Sequence, residues 1–161
     1  MTEAQRIVAD LADADALELV KRLSLALAAD VSRQQLLDAA VPEARSVATV
    51  DAKTAARQAG SAESMRVVRA LLGALAADPA TAPALVATWR EIEEDDSLVV
   101  VETIIAVGLL ANLTLLVATT GVKAKIKGVQ IEKKAADADM VRAVLEPLKA
   151  LLGLQPPPAA G

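Results

Sequence analysis

Histidine and cysteine are both absent from the 161 residues. That removes the commonest general base near neutral pH, thiolate nucleophiles, disulfides and Cys/His metal sites. Carboxylates, hydroxyls and amines remain. Five acids crowd together at Glu91, Glu93, Glu94, Asp95 and Asp96, a set able to attract a divalent cation. Their spacing lacks the glycine and regular ligand positions of a calcium loop, so they read as the solvated end of a helix. Glu102 stands alone in an apolar run. It is either an intramembrane carboxylate, a polar register mark in an oligomer, or a first-turn residue at the positive end of a helix, and the last is favoured. Asp51, Lys53, Ser61 and Ser64 offer nucleophile-like groups with no base at an activating spacing. Gly73, Gly108, Gly121 and Gly128 make no phosphate-cradling loop. We expect no catalytic residue, no cofactor and no metal, and hence a chain that is not an enzyme.

The apolar run itself spans Leu98–Ala118, LVVVETIIAVGLLANLTLLVA. It matches the roughly 20 residues a bilayer core requires. An acidic stretch precedes it, and Lys123, Lys125 and Lys127 follow it. If the run spans a membrane, this asymmetry places the lysines on the cytoplasmic side. Gly108 and Asn112 fall on one helix face, where a small residue and a hydrogen-bonding residue can hold two such helices together. The expectation is a single-pass membrane protein with Lys123, Lys125 and Lys127 flanking the bilayer. Two alternatives stand beside it. One is a cytoplasmic protein with the run buried at the centre of a helical bundle. The other is strand within VVVETIIAV, where β-branched residues gather.

These features need elements to position them. Composition is 54% hydrophobic and 1% aromatic, with one Trp and no Phe or Tyr. A core of Ala, Leu, Val and Ile suits closely approaching helices, and stacking platforms for bases or flat cofactors are missing. Residues 1–96 carry 10 basic and 16 acidic side chains, and the chain as a whole has a net charge of -4. Nucleic acid is therefore not an expected partner. The N-terminus, MTEAQRIVADLADADA, has no basic start and apolar stretch of the kind a signal peptide needs.

Thr2 and Gln5 form a capping box, followed by helical periodicity through Leu27 with an unsettled break near residues 12–15. Ser32 caps RQQLLDAAV, and Pro42 opens a further helical turn. Residues 46–60 read as a poor helix or connector. Ser61–Ala77 is amphipathic through Met65, Val68, Leu71, Leu72 and Leu75. Asp78-Pro79 stops it, and Pro83 opens a helix with Leu85, Val86, Trp89 and Ile92 inward. VKAKIKGVQIEK alternates at period two around Lys127-Gly128, predicting a β-hairpin. Asp137 caps a last helix, which Pro147 is expected to kink or split. The fold class is thus mainly α: a helical N-terminal region, a long apolar helix, a short β-hairpin and a closing C-terminal helix. Residues 1–96 are assigned to a partner-binding region, 97–152 to the apolar helix, hairpin and closing helix, and 153–161 to a disordered tail.

The stretches GLLANLTLLVATT, VKAKIKGVQIEK and DADMVRAVLEPLKALL together resemble the layout of small effector-associated adaptor modules of bacterial conflict (antiviral defence) systems. The resemblance covers about a third of the chain. The helical front half departs from it, because more strand is expected there in that family. It implies recruitment of an effector to a sensor by homotypic or heterotypic contact, and no site residue is carried across. The functional expectation is a non-enzymatic, self-associating interaction module with protein partners, anchored by its apolar helix. An adaptor or assembly component with that helix buried is the alternative, and a small membrane-permeabilising effector is a third.

Overall fold

The computed structural model describes residues 1–49, 58–59, 62–94, 105–134 and 137–152. Leu98–Ile104, Glu102 and the acids Asp95 and Asp96 lie outside the described residues, as do Asp51, Lys53, Ser61 and the tail from residue 153.

The chain begins with α1 (Glu3–Asp10), closed at its start by the Thr2–Gln5 capping box. A two-residue break at Leu11 and Ala12 separates it from α2 (Asp13–Asp30). The cap of α2 is Ala12, which gives no side-chain hydrogen bond; Asp13 and Asp15 sit in the first turn instead, where they favour the positive end of the macrodipole. α3 (Arg33–Ala39) starts at the Ser32–Gln35 capping box. A 3₁₀ segment, Pro42–Thr49, follows. Helices α4 (Ala62–Ala77) and α5 (Ala82–Glu94) meet at the corner Asp78–Thr81. Asp78 accepts the Ala80 amide there at 2.9 Å, and the Thr81 hydroxyl donates to the Leu75 carbonyl at 2.7 Å.

The long apolar helix expected over Leu98–Ala118 is not found. β1 (Gln58–Ala59) pairs antiparallel with β2 (Ile105–Ala106), and only then does α6 (Val107–Val117) begin. The physical reason lies in composition. Most of the β-branched residues fall in the first half of the run, Ile105 of β2 among them, whereas Leu and Ala dominate the second half. No single described helix is long and apolar enough to cross a membrane.

β3 (Lys123–Ile126) and β4 (Val129–Glu132) form the expected hairpin. Its two-residue turn has φ of 51° at Lys127 and 79° at Gly128, the pattern of a type I′ turn. The last helix, α7 (Ala138–Leu152), starts where Asp137 accepts the amides of Asp139 and Met140. It continues through Pro147 as one helix, against the expectation of a split.

α6 lies at the centre. It touches α2, α3, α4, α7 and the 3₁₀ segment. Leu110, Ala111, Leu113, Leu115, Leu116 and Ala118 are essentially inaccessible. Around them pack Leu19, Leu23 and Leu27 of α2, Leu71 and Leu72 of α4, and Val144 and Leu148 of α7. Side chains from both sides of residue 97 therefore share one core. With no Phe or Tyr, and with the single Trp89 half-buried at its margin, that core closes by near approach of small and branched side chains. Three buried hydroxyls are returned to carbonyls three or four residues earlier in the chain: Thr88 donates to Ala84, Thr114 to Leu110 and Thr119 to Leu116, each at 2.8 Å.

Two glycines with opposite roles test this picture. Gly73 is exposed in α4, and a β-carbon there would meet nothing within 4 Å. Gly73→Ala should raise stability by about 0.5–1 kcal/mol. Gly128→Ala, at positive φ, should lower it by about 1 kcal/mol. Urea denaturation of the two variants against the parent reads both signs.

A candidate interaction surface on the basic hairpin

The exposed face of the hairpin carries Lys123 and Lys125 side by side on one strand. Alternation puts Ala124, Ile126 and Ile131 into the core and leaves Lys123, Lys125, Gln130 and Glu132 exposed. The strand pairs set Lys123 opposite Glu132 and Lys125 opposite Gln130. Each exposed β3 lysine thus meets an acceptor across the ladder, which moderates repulsion between the lysines.

Acids on the helices hold the hairpin down at three points. The Asp30 carboxylate at the end of α2 accepts the backbone amide of Lys125 at 2.7 Å. Glu91 of α5 bridges Arg22 at 3.3 Å and the Lys127 ammonium at 3.1 Å. This bridge places two cations near the C-terminal end of α5, where the clustered glutamates would otherwise oppose the macrodipole. The third clamp is the most buried. The Lys133 ammonium reaches the Asp78 carboxylate at 2.6 Å, with side-chain exposures of 4% and 22%.

Lys133 and Asp78 also line a cavity of about 220 Å³, together with Leu75, Thr81, Val117 and Met140. Its polar side chains are already engaged: Lys133 with Asp78, Asp78 with the Ala80 amide, Thr81 with Leu75, and Asp137 with the Asp139 and Met140 amides. Among the described residues, no buried side-chain nitrogen or oxygen lacks a hydrogen-bond partner. No group of three or more metal-binding side chains converges among them either. The cavity is a packing defect beside an ion pair, with no unengaged group aimed into it.

The residues singled out in the sequence have these positions. Gly108 lies in the first turn of α6. Asn112 is half-buried, and its amide oxygen accepts the Arg33 guanidinium of α3 at 2.9 Å. Its amide oxygen is therefore used within the chain. Lys123 and Lys125 are exposed on the hairpin, while Lys127 at its tip is tied to Glu91. Ser64 is buried in α4. Sequence reasoning missed Asp30, Asp78 and Lys133, because their partners lie 95 and 55 positions away in the chain. The one available signal was Lys133 itself, which extends the period-two pattern of Val129 and Ile131 and so falls on the inward face of β4.

No protein-family model, curated protein or solved structure matches this chain.

The clamp makes an asymmetric prediction. Asp78→Asn leaves an ammonium in a nearly closed site and should cost about 2–4 kcal/mol. Lys133→Met leaves a carboxylate that still reaches water and still accepts the Ala80 amide, and should cost no more than about 1–2 kcal/mol. Chemical denaturation of both variants should rank them in that order.

Proposed function

We propose that this chain is a non-enzymatic, self-associating interaction module whose apolar helix is the packing centre of its own fold and not a bilayer anchor. One observation carries the second half of this reading. From Leu110 to Thr119, every side chain but that of Asn112 is buried, and the enclosing helices come from both ends of the chain. A helix sheltered in this way has little apolar surface left to offer lipid.

The first half rests on how the polar groups are used. Asp30, Asp78, Glu91, Arg33 and Asn112 are engaged inside the chain, and the sequence supplies neither histidine nor cysteine. Surface recognition is the activity this leaves. The exposed lysine face of the hairpin is its most distinctive patch. The order α6, hairpin, α7 is also the layout that resembles effector-associated modules. On that resemblance the module would bring an effector to a sensor in a bacterial defence or signalling system.

Fractionation of cells expressing the full chain tests the reading. The protein is expected in the supernatant after carbonate extraction, and gel filtration with light scattering should give a defined oligomer. Asn112→Leu should lower stability by about 1 kcal/mol, through loss of the Arg33 hydrogen bond, and leave oligomer size unchanged. Recovery in carbonate-resistant membranes, or an Asn112→Leu variant of normal stability and altered size, would overturn this reading in favour of an anchored, helix-paired protein.

A further inference from the structure

The two edges of the hairpin sheet are finished differently. In a two-residue hairpin the residues flanking the turn form a hydrogen-bonded pair, and pairing alternates from there. The ladder amides are therefore those of Ile126 with Val129 and Ala124 with Ile131, continued by Lys133 donating to the Val122 carbonyl. Lys123 and Lys125 on β3, and Gln130 and Glu132 on β4, direct their backbone groups outward.

On the β3 side that edge is partly engaged. The Lys125 amide is taken by Asp30. The chain just before β3 is paired with the end of α3, through the Ala40–Thr119 bridge and the bonds Val41 to Ala118 and Thr120 to Ala39. On the β4 side, among the described residues, nothing bonds the outward groups of Gln130 and Glu132. An open groove of about 510 Å³ adjoins the start of this strand, lined by Val129, Pro83, Val86 and Ala87 and edged by Glu3 and Arg90.

We propose that this edge pairs with the same edge of a second copy of the chain, antiparallel and about a two-fold axis at Ile131. The inference rests on the self-association proposed above and names its surface. Side-chain pairing favours one register. Centring on Ile131 sets Gln130 opposite the partner's Glu132, and Glu132 opposite the partner's Gln130, an amide against a carboxylate twice over. Centring on Glu132 would oppose two like charges and is disfavoured. In the chosen register the exposed Lys134 of each copy arrives at the partner's Gly128, beside the groove that Glu3 edges. Two four-residue edges alone bury less than the roughly 1,200 Å² of a stable interface, and the apolar groove beside Val129 supplies the remaining surface. Pairing of this edge with itself about a two-fold axis is isologous, so it closes at a dimer, and the Asp30 bond to the Lys125 amide hinders addition of a further strand at β3.

The absence of cysteine makes the register directly readable. Full-length Gln130→Cys and Glu132→Cys chains are prepared separately, mixed and oxidised. A disulfide-linked dimer should form mainly in the mixture, because opposed residues bring the two thiols within bridging distance, and each variant alone should give several-fold less. Gln130→Pro removes an outward amide and leaves the ladder to β3 intact. It should convert the dimer to monomer with an unchanged circular dichroism spectrum. Should that variant fail to fold, the disulfide pattern still decides. A wild-type chain that stays monomeric at its highest attainable concentration would refute self-association itself. A stable oligomer with no preference for the mixed disulfide would keep self-association and overturn the β4 edge.

Discussion

Everything in this fold depends on keeping one eleven-residue apolar helix dry. α6 has no charged side chain, and its only strongly polar group beyond a self-satisfied threonine is Asn112. In water such a helix is costly to expose, at roughly 25 cal/mol for each Å² of apolar surface. The chain answers by surrounding it with α2 and α3 from the front half, α4 from the middle and α7 from the end. The two halves of the sequence consequently do not form separate cores. Neither can bury its own amphipathic faces without the other, because the stripes on α2, α4 and α7 converge on the same helix.

The polar interactions act at the margin of that apolar arrangement. Asp30, Glu91 and Asp78 each reach from a helix terminus or corner to the hairpin. Exposed pairs such as Lys127 with Glu91 contribute at most about 1 kcal/mol. Their effect is positional, since they set where the hairpin lies on the helices and which of its edges is covered. Asp30 engages the β3 edge at the Lys125 amide, and the α4–α5 corner grips Lys133 at the far end of the other strand. The result is a small sheet with a buried face, a basic face and, among the described residues, a β4 edge without backbone partners.

Local features of this architecture were legible in the sequence because their causes are local. The boxes at Thr2–Gln5 and Ser32–Gln35, the cap at Asp137 and the turn at Lys127-Gly128 each involve residues two or three apart. The break between α1 and α2 was harder to place, since Ala12 supplies no capping side chain. The split expected at Pro147 is absent for a different reason. A proline in a helix removes one amide, and packing of Val144, Leu145 and Leu148 on the core outweighs that loss here. The length of the apolar run misled most. Hydrophobicity averaged across Leu98–Ala118 hides the change at Ala106 from β-branched to Leu-rich composition, and with it the change from strand to helix. Of the candidate site, the exposed lysines were legible and the acids that hold their strand were not, because a clamp between residues 30 and 125 has no signature in spacing.

Hydrogen exchange of the full-length chain in detergent-free buffer tests most directly whether α6 is sheltered by its own polypeptide. The amides of Leu113–Val117 should exchange only through global unfolding, with protection matching the free energy measured by denaturant and unchanged by added phospholipid vesicles. Rapid exchange of those amides in buffer, with protection gained only when vesicles are present, would contradict the account and return the helix to the membrane.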